Sequence, residues 1–281
     1  LGVASLSLSL LATTNSFSDG HIYGENNPVT VKGYKGSKTD STAYTGQIAR
    51  QLQHNSLKKI VSKGNPSDPT SNTLNKMLNY FENKDKTKSM AILDPKSSSK
   101  FPVKQKMVGE ISTGSNLAGK ADGRVQLSWP NNMTGADVIR FMIKKASKIS
   151  GGVDMRNGMN YPQLISKYTM GAVLYHQACD NYLDEKMTAS NKPNDKPYKK
   201  GAYYTGKEHS WDEAFGYWGA AAHTMTLSAQ QSYDVAKKKD LKAADFNKDG
   251  VVDLYKEMTY GHAYYASAFD RGGKTDYLKT V

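Results

Sequence analysis

The chain has little of three things that would each point to a particular class of protein. Its 281 residues include one cysteine, Cys179, so no disulfide can form within it. Only five of the 38 basic residues are arginine, the residue best suited to bases and phosphates, and lysines are scattered over every segment. No apolar run is long enough to cross a bilayer. We therefore expect no disulfide scaffold, no nucleic-acid partner and no transmembrane segment.

Several short catalytic and nucleotide-binding motifs are absent as well. The sequence contains no G-x-S-x-G, no Walker loop and no dinucleotide fingerprint. The formal net charge of +12 comes mainly from dispersed lysines, which we interpret as a solvated basic surface.

The first residues resemble a secretory leader. The chain begins at Leu1 and not at Met, and residues 1–13 are apolar and uncharged, like the hydrophobic part of a signal peptide. Small residues at Ser16 and Ser18 predict cleavage before Asp19. We expect residues 1–18 to be a signal-peptide remnant, with an apolar strand as the alternative for this stretch. The protein would then be periplasmic or secreted, from a bacterium.

The remainder divides into an arm and a helical domain. Residues 19–42 are rich in Gly, Asn, Lys and Ser, and are predicted to be a flexible arm. Residues 43–281 show apolar positions at spacings of three and four, which predicts an all-α helical bundle with long irregular loops. The longest predicted helix carries its stripe at Tyr161, Leu164, Ile165, Tyr168, Ala172, Tyr175, Cys179 and Tyr182.

Two details qualify this all-α prediction. Val125, Leu127 and Trp129 alternate with polar residues, which leaves room for one short β segment or for an extended segment packed on the helices. Residues 275–281 resemble the beginning of a further helix, so we expect the domain to be truncated at its C-terminus.

The stretch 205–222 is the most informative part of the domain. Thr205 and Glu208 form a capping-box pattern, which predicts a helix start at Gly206. His209, Asp212 and Glu213 then share one face, because residues three and four apart converge on a helix. An imidazole with two carboxylates suits a metal site or proton transfer. The alternative is an ordinary amphipathic helix with its polar face in water.

A second pair could complete such a site. His176 and Asp180 lie four residues apart on the longest predicted helix, and would meet His209 across the bundle core if the two helices pack side by side. A simple hydrogen bond along the helix is the alternative. His223, further along the chain, is an additional candidate, although a lone histidine is more often just packed.

The most specific short motif is D-F-N-K-D-G-V-V-D, beginning at Asp245. It resembles a calcium-binding EF-hand loop, with Gly250 at the sharp turn. The predicted ligands are Asp245, Asn247, Asp249, the carbonyl of Val251, Asp253 and Glu257. Lys256 occupies the position of the usual bidentate carboxylate, and Glu257 follows one residue late. The alternative is a D-G turn in which Asp253 caps the next helix.

Several of these stretches together resemble a known family. Residues 43–52, 161–183, the E-H-x-W-D-E run from Glu208, and 245–271 are similar to an uncharacterised, exported bacterial domain-of-unknown-function family related to imelysin. The resemblance implies an imelysin-like helical fold, and imelysin-like proteins are associated with iron uptake at the cell envelope. In their G-x-H-x-x-E motif His209 matches the histidine and Asp212 stands at the glutamate, while Gly206 is one place early and Glu213 one place late.

We therefore expect an exported, imelysin-like protein that binds a metal ion or a metal-bearing ligand. Iron or zinc would be held by His209, Asp212, Glu213, His176 and Asp180, and calcium would stabilise the loop at Asp245. Envelope proteins would be partners. Two alternatives stay open: a metal-dependent peptidase or hydrolase with Glu213 as general base, and a structural envelope or matrix protein. The sequence favours a binding protein over an enzyme without deciding between them.

Overall fold

A computed structural model describes residues 22–25, 27–68, 70–86, 90–191 and 194–280. The predicted signal-peptide remnant at residues 1–18 lies outside the described residues. Within them the fold is all-α, as the sequence predicts. The helices are α1 (Thr45–Val61), α2 (Asn72–Glu82), α3 (Gly135–Ser147), α4 (Tyr161–Thr169), a π-helix (Met170–Lys186), α5 (Gly206–Trp218), α6 (Ala229–Ala236), α7 (Leu241–Ala244), α8 (Gly261–Asp270) and α9 (Tyr277–Thr280).

Short elements join these helices. Turns of 3-10 helix occur at Val108–Glu110, Ala118–Lys120, Ser150–Gly152 and Thr224–Thr226. Strands β1 (Val153–Asp154) and β2 (Met159–Asn160) pair antiparallel, with Val153 opposite Asn160 and Asp154 opposite Met159. The short sheet of the described residues therefore lies at residues 153–160, and the stretch at Val125–Trp129 forms no strand. Val125 makes one isolated bridge, and Leu127 is 98% exposed, because nothing packs over its side of the turn.

Local capping explains where helices begin. At α3 the Thr134 hydroxyl accepts from the Asp137 N–H, while the Asp137 carboxylate accepts from the Thr134 N–H. The start of α5 repeats this arrangement with Thr205 and Glu208, as predicted. These reciprocal bonds satisfy backbone donors that the first turn leaves open.

The longest predicted helix is continuous but changes its winding. Residues 161–169 are α-helical, and residues 170–186 form a π-helix, which has a wider turn. The apolar stripe predicted at α-helical spacing is therefore partly wrong. In the π-helix Tyr175 is exposed, while Val173, Leu174 and Ala178 are buried, because the wider turn moves different residues toward the core. Leu164, which lies in the α-helical part, is exposed as well.

Helix α1 connects two apolar cores. Its C-terminal residues Leu57 and Val61 pack with α2, α3, α4 and the π-helix. Its N-terminal residues Ile48 and Leu52 pack with a second core that includes residues 90–108 and 252–260. Side chains near both ends of α1 consequently have fixed surroundings.

The region that follows the calcium-like loop is not helical at first. Residues 254–260 are irregular, and α8 starts only at Gly261. Gly261 adopts a φ of +45°, and the Tyr260 N–H donates to the Gly219 carbonyl instead of to a helical partner. The backbone therefore leaves the helical path before α8 begins.

The segment predicted as an arm contains no helix in the described residues 22–25 and 27–42. It nevertheless contacts the helices, because the ring of Tyr23 stacks on Phe215 at 3.6 Å between ring centroids. The flexibility of this segment stays a prediction. In the described parts of the chain, no helix combines the length and the apolar character that crossing a membrane requires.

Candidate functional site

The candidate site is built where α1 crosses α5. Gly216 permits this crossing, because a β-carbon there would lie 2.5 Å from the Cβ of Gln47. The buried Gln51 side chain then donates to the carbonyls of Gly216 and Tyr217 at 3.2 and 2.8 Å. The last turn of α5 is thus fixed to the middle of α1, which sets the direction of the side chains one turn earlier.

His209 and Glu213 form a pair on α5. The His209 Nε2 and Glu213 Oε2 atoms are 3.6 Å apart. Gln47 donates from Nε2 to Glu213 Oε1 at 2.7 Å, so the carboxylate is oriented by a residue of α1. The rings of Tyr198 and Tyr204 lie 4.8 and 4.6 Å from the imidazole, measured between centroids. The pair is therefore held by aromatic and amide groups from two other segments.

His209 and Glu213 line one cavity of about 610 Å³, here called the His209 cavity. Its volume falls in the range of small-molecule sites. The charged groups among the described lining residues, apart from the pair itself, are Lys38, Asp40, Arg50 and Lys256. Three cations and two carboxylates thus share the wall with one imidazole, which suits a ligand with both positive and negative parts.

Asp212, predicted to join the pair, has a different role. It is 2% exposed, and its carboxylate accepts from the Tyr23 hydroxyl at 2.6 Å and from the Ala43 N–H at 2.8 Å. Burial raises the pKa of this carboxyl to about 7, although both hydrogen bonds act in the opposite direction. Asp212 does not line the His209 cavity, so the structure brings together two of the three predicted α5 residues there.

His176 and Asp180 lie at a separate cavity. They are hydrogen-bonded at 3.0 Å between Nδ1 and Oδ2, and Arg124 bridges Asp180 to Asp122. Helix α5 does pack along the π-helix, as the bundle prediction required. The two cavities share no lining residue, so the predicted meeting of this pair with His209 does not occur. The hydrogen bond between His176 and Asp180 along the helix, which the sequence offered as the alternative, is present.

His223 is a packed residue. It is buried, its Nε2 lies 2.8 Å from the Ala243 carbonyl oxygen, and its ring stacks on Phe246. Burial lowers the pKa of this imidazole, so the neutral form is favoured.

The donor set at the His209 cavity limits how a metal could bind. In the described part of the chain, no three His, Cys, Asp or Glu side chains converge as metal ligands would. His209 and Glu213 therefore offer two protein ligands. A metal ion there would need water or another molecule in its remaining positions.

The calcium-like loop is tightly organised by its own side chains. Asp245 accepts from the N–H groups of Asp249 and Gly250 at 3.1 and 2.9 Å. Glu257 folds back over the loop, although it comes one residue late, and Oε1 accepts from the N–H groups of Phe246 and Asn247. Gly250 has a φ of +88°, which favours glycine at the sharp turn.

The remaining predicted loop residues complete this turn. Asn247 accepts from the Asp249 N–H at 2.9 Å, and Asp249 accepts from the Val251 N–H at 3.0 Å. Asp253 accepts from the Gln105 side chain at 2.8 Å, and its N–H donates to Glu257 Oε2 at 2.7 Å. The loop is thus a compact turn in which backbone N–H groups donate to the side-chain oxygens of Asp245, Asn247, Asp249 and Glu257. Calcium binding by this loop stays a prediction.

Sequence reasoning missed most of the cavity wall. Arg50 donates to the Asn116 carbonyl at 2.9 Å, and Tyr203 and Tyr204 reach the cavity from the loop before α5. Arg50 is one of few arginines, and the tyrosine pair directly precedes the capping box. Both features were weak indications in the sequence that these residues line a site. Lys38 and Lys256 had none, because they come from distant segments.

Comparison with known proteins gives one result. Residues 25–262 match the sequence profile of a family described as "Domain of unknown function (DUF4856)". No curated protein and no solved structure matches the chain.

Proposed function

The chain belongs to the DUF4856 family, and from that premise we propose that it is an exported binding protein for a metal-bearing ligand held in the His209 cavity. The observation that carries the proposal is that His209 and Glu213, 3.6 Å apart, line the same cavity of about 610 Å³. An imidazole and a carboxylate are common ligands of iron and zinc.

The number of donors favours a metal complex over a bare ion. Two protein ligands leave most coordination positions of iron open, and a chelating molecule in the cavity would fill them. Such chelators are anionic when they bind ferric iron, and Lys38, Arg50 and Lys256 supply positive charge around the pair. Gln47 fixes the Glu213 carboxylate, as outer hydrogen bonds generally orient metal ligands.

The cellular setting of this proposal rests on the sequence. The signal-like residues 1–18 support export to the periplasm or the exterior of a bacterium. The similarity to imelysin-like proteins supports a role in iron uptake with envelope partner proteins.

Calcium is proposed as a structural ion of the loop at Asp245. The side-chain oxygens of Asp245, Asn247 and Asp249 curl around one turn, and Glu257 reaches back toward them. Calcium would replace backbone N–H groups as the partner of these oxygens, so the expected affinity is modest. We expect CaCl₂ but not MgCl₂ to raise the thermal midpoint of the wild type and not of Asp249→Asn. Asp234→Asn, on α6 and outside the loop, is the matched control. A wild type without a calcium-dependent shift would contradict the proposal.

The metal site is tested with ferric citrate as the probe. We expect isothermal titration calorimetry to show binding to the wild type and a loss of about tenfold or more in His209→Ala, because one of two protein ligands is removed. His176→Ala is the matched control, since His176 also has a carboxylate partner four residues on. Equal losses in the two variants would contradict the assignment of the site to His209.

The same preparation separates the alternatives. Peptide hydrolysis that disappears in Glu213→Gln would make the protein a metal-dependent hydrolase. Absence of both ferric citrate binding and hydrolysis would leave the structural envelope protein as the better reading.

A further inference from the structure

A second cavity lies near the C-terminal end of α1, and it is strongly basic. Lys58 and Lys59 come from α1, and Lys237 and Lys238 directly follow α6. This lysine cavity has a volume of about 500 Å³. Asp94 is the one carboxylate among the described residues that line it, and it accepts a hydrogen bond from Lys238. Positive charge therefore exceeds negative charge in this wall.

Two buried polar groups in the same wall lack partners. His54 and Thr259 both line the lysine cavity, and they are 4% and 1% exposed. Among the residues that the structure describes, neither His54 Nδ1 nor Thr259 Oγ1 has a hydrogen-bond partner. A buried polar atom without a partner costs about 1–3 kcal/mol, so a bound molecule that satisfies both would stabilise the site.

The protonation of His54 determines what it needs. Burial lowers the pKa of this imidazole to about 4, so the ring is neutral at pH 7. Nε2 lies 3.0 Å from the carbonyl oxygen of Ser166, which can only accept, so Nε2 carries the proton. Nδ1 is then an acceptor, and its missing partner is a donor such as a hydroxyl group.

We propose that the lysine cavity binds a small phosphorylated molecule that also carries hydroxyl groups, as a sugar phosphate does. Lysine ammonium groups would hold the phosphate, which carries nearly two negative charges at pH 7. The ligand hydroxyls would satisfy His54 and Thr259. The cavity is larger than inorganic phosphate needs, and Tyr264 and Tyr265 add aromatic side chains to its wall.

This inference is independent of the proposed metal-bearing ligand. The two cavities have no lining residue in common, and ferric citrate binding is assigned to His209. Either proposal can therefore fail while the other stands.

The test is calorimetric titration of the full chain with glucose 6-phosphate, with glucose and inorganic phosphate as comparison ligands. We expect glucose 6-phosphate to bind most tightly, phosphate weakly and glucose not at all. The double variant Lys58→Gln/Lys237→Gln should weaken binding by about tenfold or more, because two charged contacts are lost. The charge-matched double variant Lys100→Gln/Lys144→Gln changes exposed lysines outside the cavity and should bind like the wild type.

Thr259→Val tests the hydroxyl separately. It keeps the shape of the side chain and removes a group without a partner, so the thermal midpoint of the free protein should stay or rise while glucose 6-phosphate binding weakens. A purely structural hydroxyl would instead lower the midpoint and leave binding unchanged.

The proposal is overturned if glucose 6-phosphate does not bind at millimolar concentration, if glucose binds equally well, or if both double variants bind alike. Protection from an amine-reactive label provides a readout that needs no variant. Bound glucose 6-phosphate should slow labelling of Lys58 and Lys237 in the wild type and leave Lys144 unchanged. If glucose 6-phosphate leaves the labelling rates of Lys58 and Lys237 unchanged, or slows Lys144 as much, the proposal is also overturned.

Discussion

The two ends of α1 border cavities of similar size and different chemistry. At the N-terminal end, the His209 cavity combines three cations with two carboxylates and an imidazole. Toward the C-terminal end, the lysine cavity combines four lysines with one carboxylate, already bonded to Lys238, and two polar groups without partners. Helix α1 contributes to this difference itself, because it supplies Arg50 to the first cavity and His54, Lys58 and Lys59 to the second, and the segments that pack around it supply the rest.

That comparison teaches how each cavity would select a ligand. Glu213 in the first cavity is held by Gln47 and faces an imidazole, an arrangement that favours a cation with anionic ligands. The second cavity has no carboxylate free to repel an anion among its described lining residues. Burial also shifts the pKa values of groups near the two cavities in opposite directions: it raises the pKa of Asp212 and lowers that of His54.

The largest expected effect concerns His54 and acid. Burial lowers its pKa from 6.5 to about 4, so between these pH values the unfolded chain binds a proton that the folded protein does not. The free energy of unfolding should fall by about 3 kcal/mol as pH drops through this window, and the contribution is fully present above pH 6.5. Asp212 acts in the opposite direction, because a raised pKa makes stability fall as pH rises.

The contribution of His54 is therefore measured as a difference. Urea unfolding of the wild type and of His54→Gln should give a stability difference that grows from pH 4 to pH 6.5. Glutamine keeps a donor for the Ser166 carbonyl and does not titrate. A difference that is constant with pH would contradict the buried, neutral imidazole.

The next largest effect concerns Gly216, where a substitution should alter binding in the His209 cavity and not in the lysine cavity. Gly216→Ala places a methyl group 2.5 Å from Gln47 Cβ, so α1 and α5 must move apart, at a cost of about 2 kcal/mol. Ferric citrate binding should weaken and glucose 6-phosphate binding should persist. Gly171→Ala is the matched control, since in the described structure no atom beyond its own stretch of helix lies within 4 Å of the added carbon. Parallel loss of both ligands would show that the cavities are not independent.

The smallest effect concerns Gln47. Gln47→Leu removes its hydrogen bond to Glu213 and should cost about 1 kcal/mol in unfolding free energy. Ferric citrate affinity should fall by about tenfold, because the carboxylate loses its orienting partner. Gln177→Leu is the control, as its buried side chain donates to the Lys120 carbonyl away from the cavity. Equal ferric citrate binding in the two variants would argue against an orienting role.

Local signals in the sequence predicted the parts of the fold that depend on neighbouring residues. The Thr205–Glu208 capping box and the i,i+4 pair of His209 and Glu213 lie within one helix, so spacing was sufficient. The position of Asp212 could not be predicted from spacing, because its hydrogen-bond partners, Tyr23 and Ala43, are distant in sequence. Helical periodicity likewise could not indicate the wider π-helical turn.

The lysine cavity had no sequence signal for the same reason. Its residues come from α1, the segment around Asp94, residues 151–166, the end of α6 and residues 259–265. In the sequence, each lysine alone resembled a solvated surface residue. Only the folded arrangement brings the lysines together with the two polar groups. Long-range packing was thus the missing information for both cavities.

The direction of α1 adds a contribution that side chains do not show. Aligned peptide dipoles place about half a positive charge at a helix N-terminus and half a negative charge at its C-terminus. Thr45 and Gly46, in the first turn, line the His209 cavity, and in the described structure Tyr44 makes no side-chain capping bond there. Lys58 and Lys59 stand in the last turn. The helix dipole therefore makes the electrostatic potential of the His209 cavity more positive and that of the lysine cavity less positive. The difference in potential between the two cavities is smaller than their side chains alone would give.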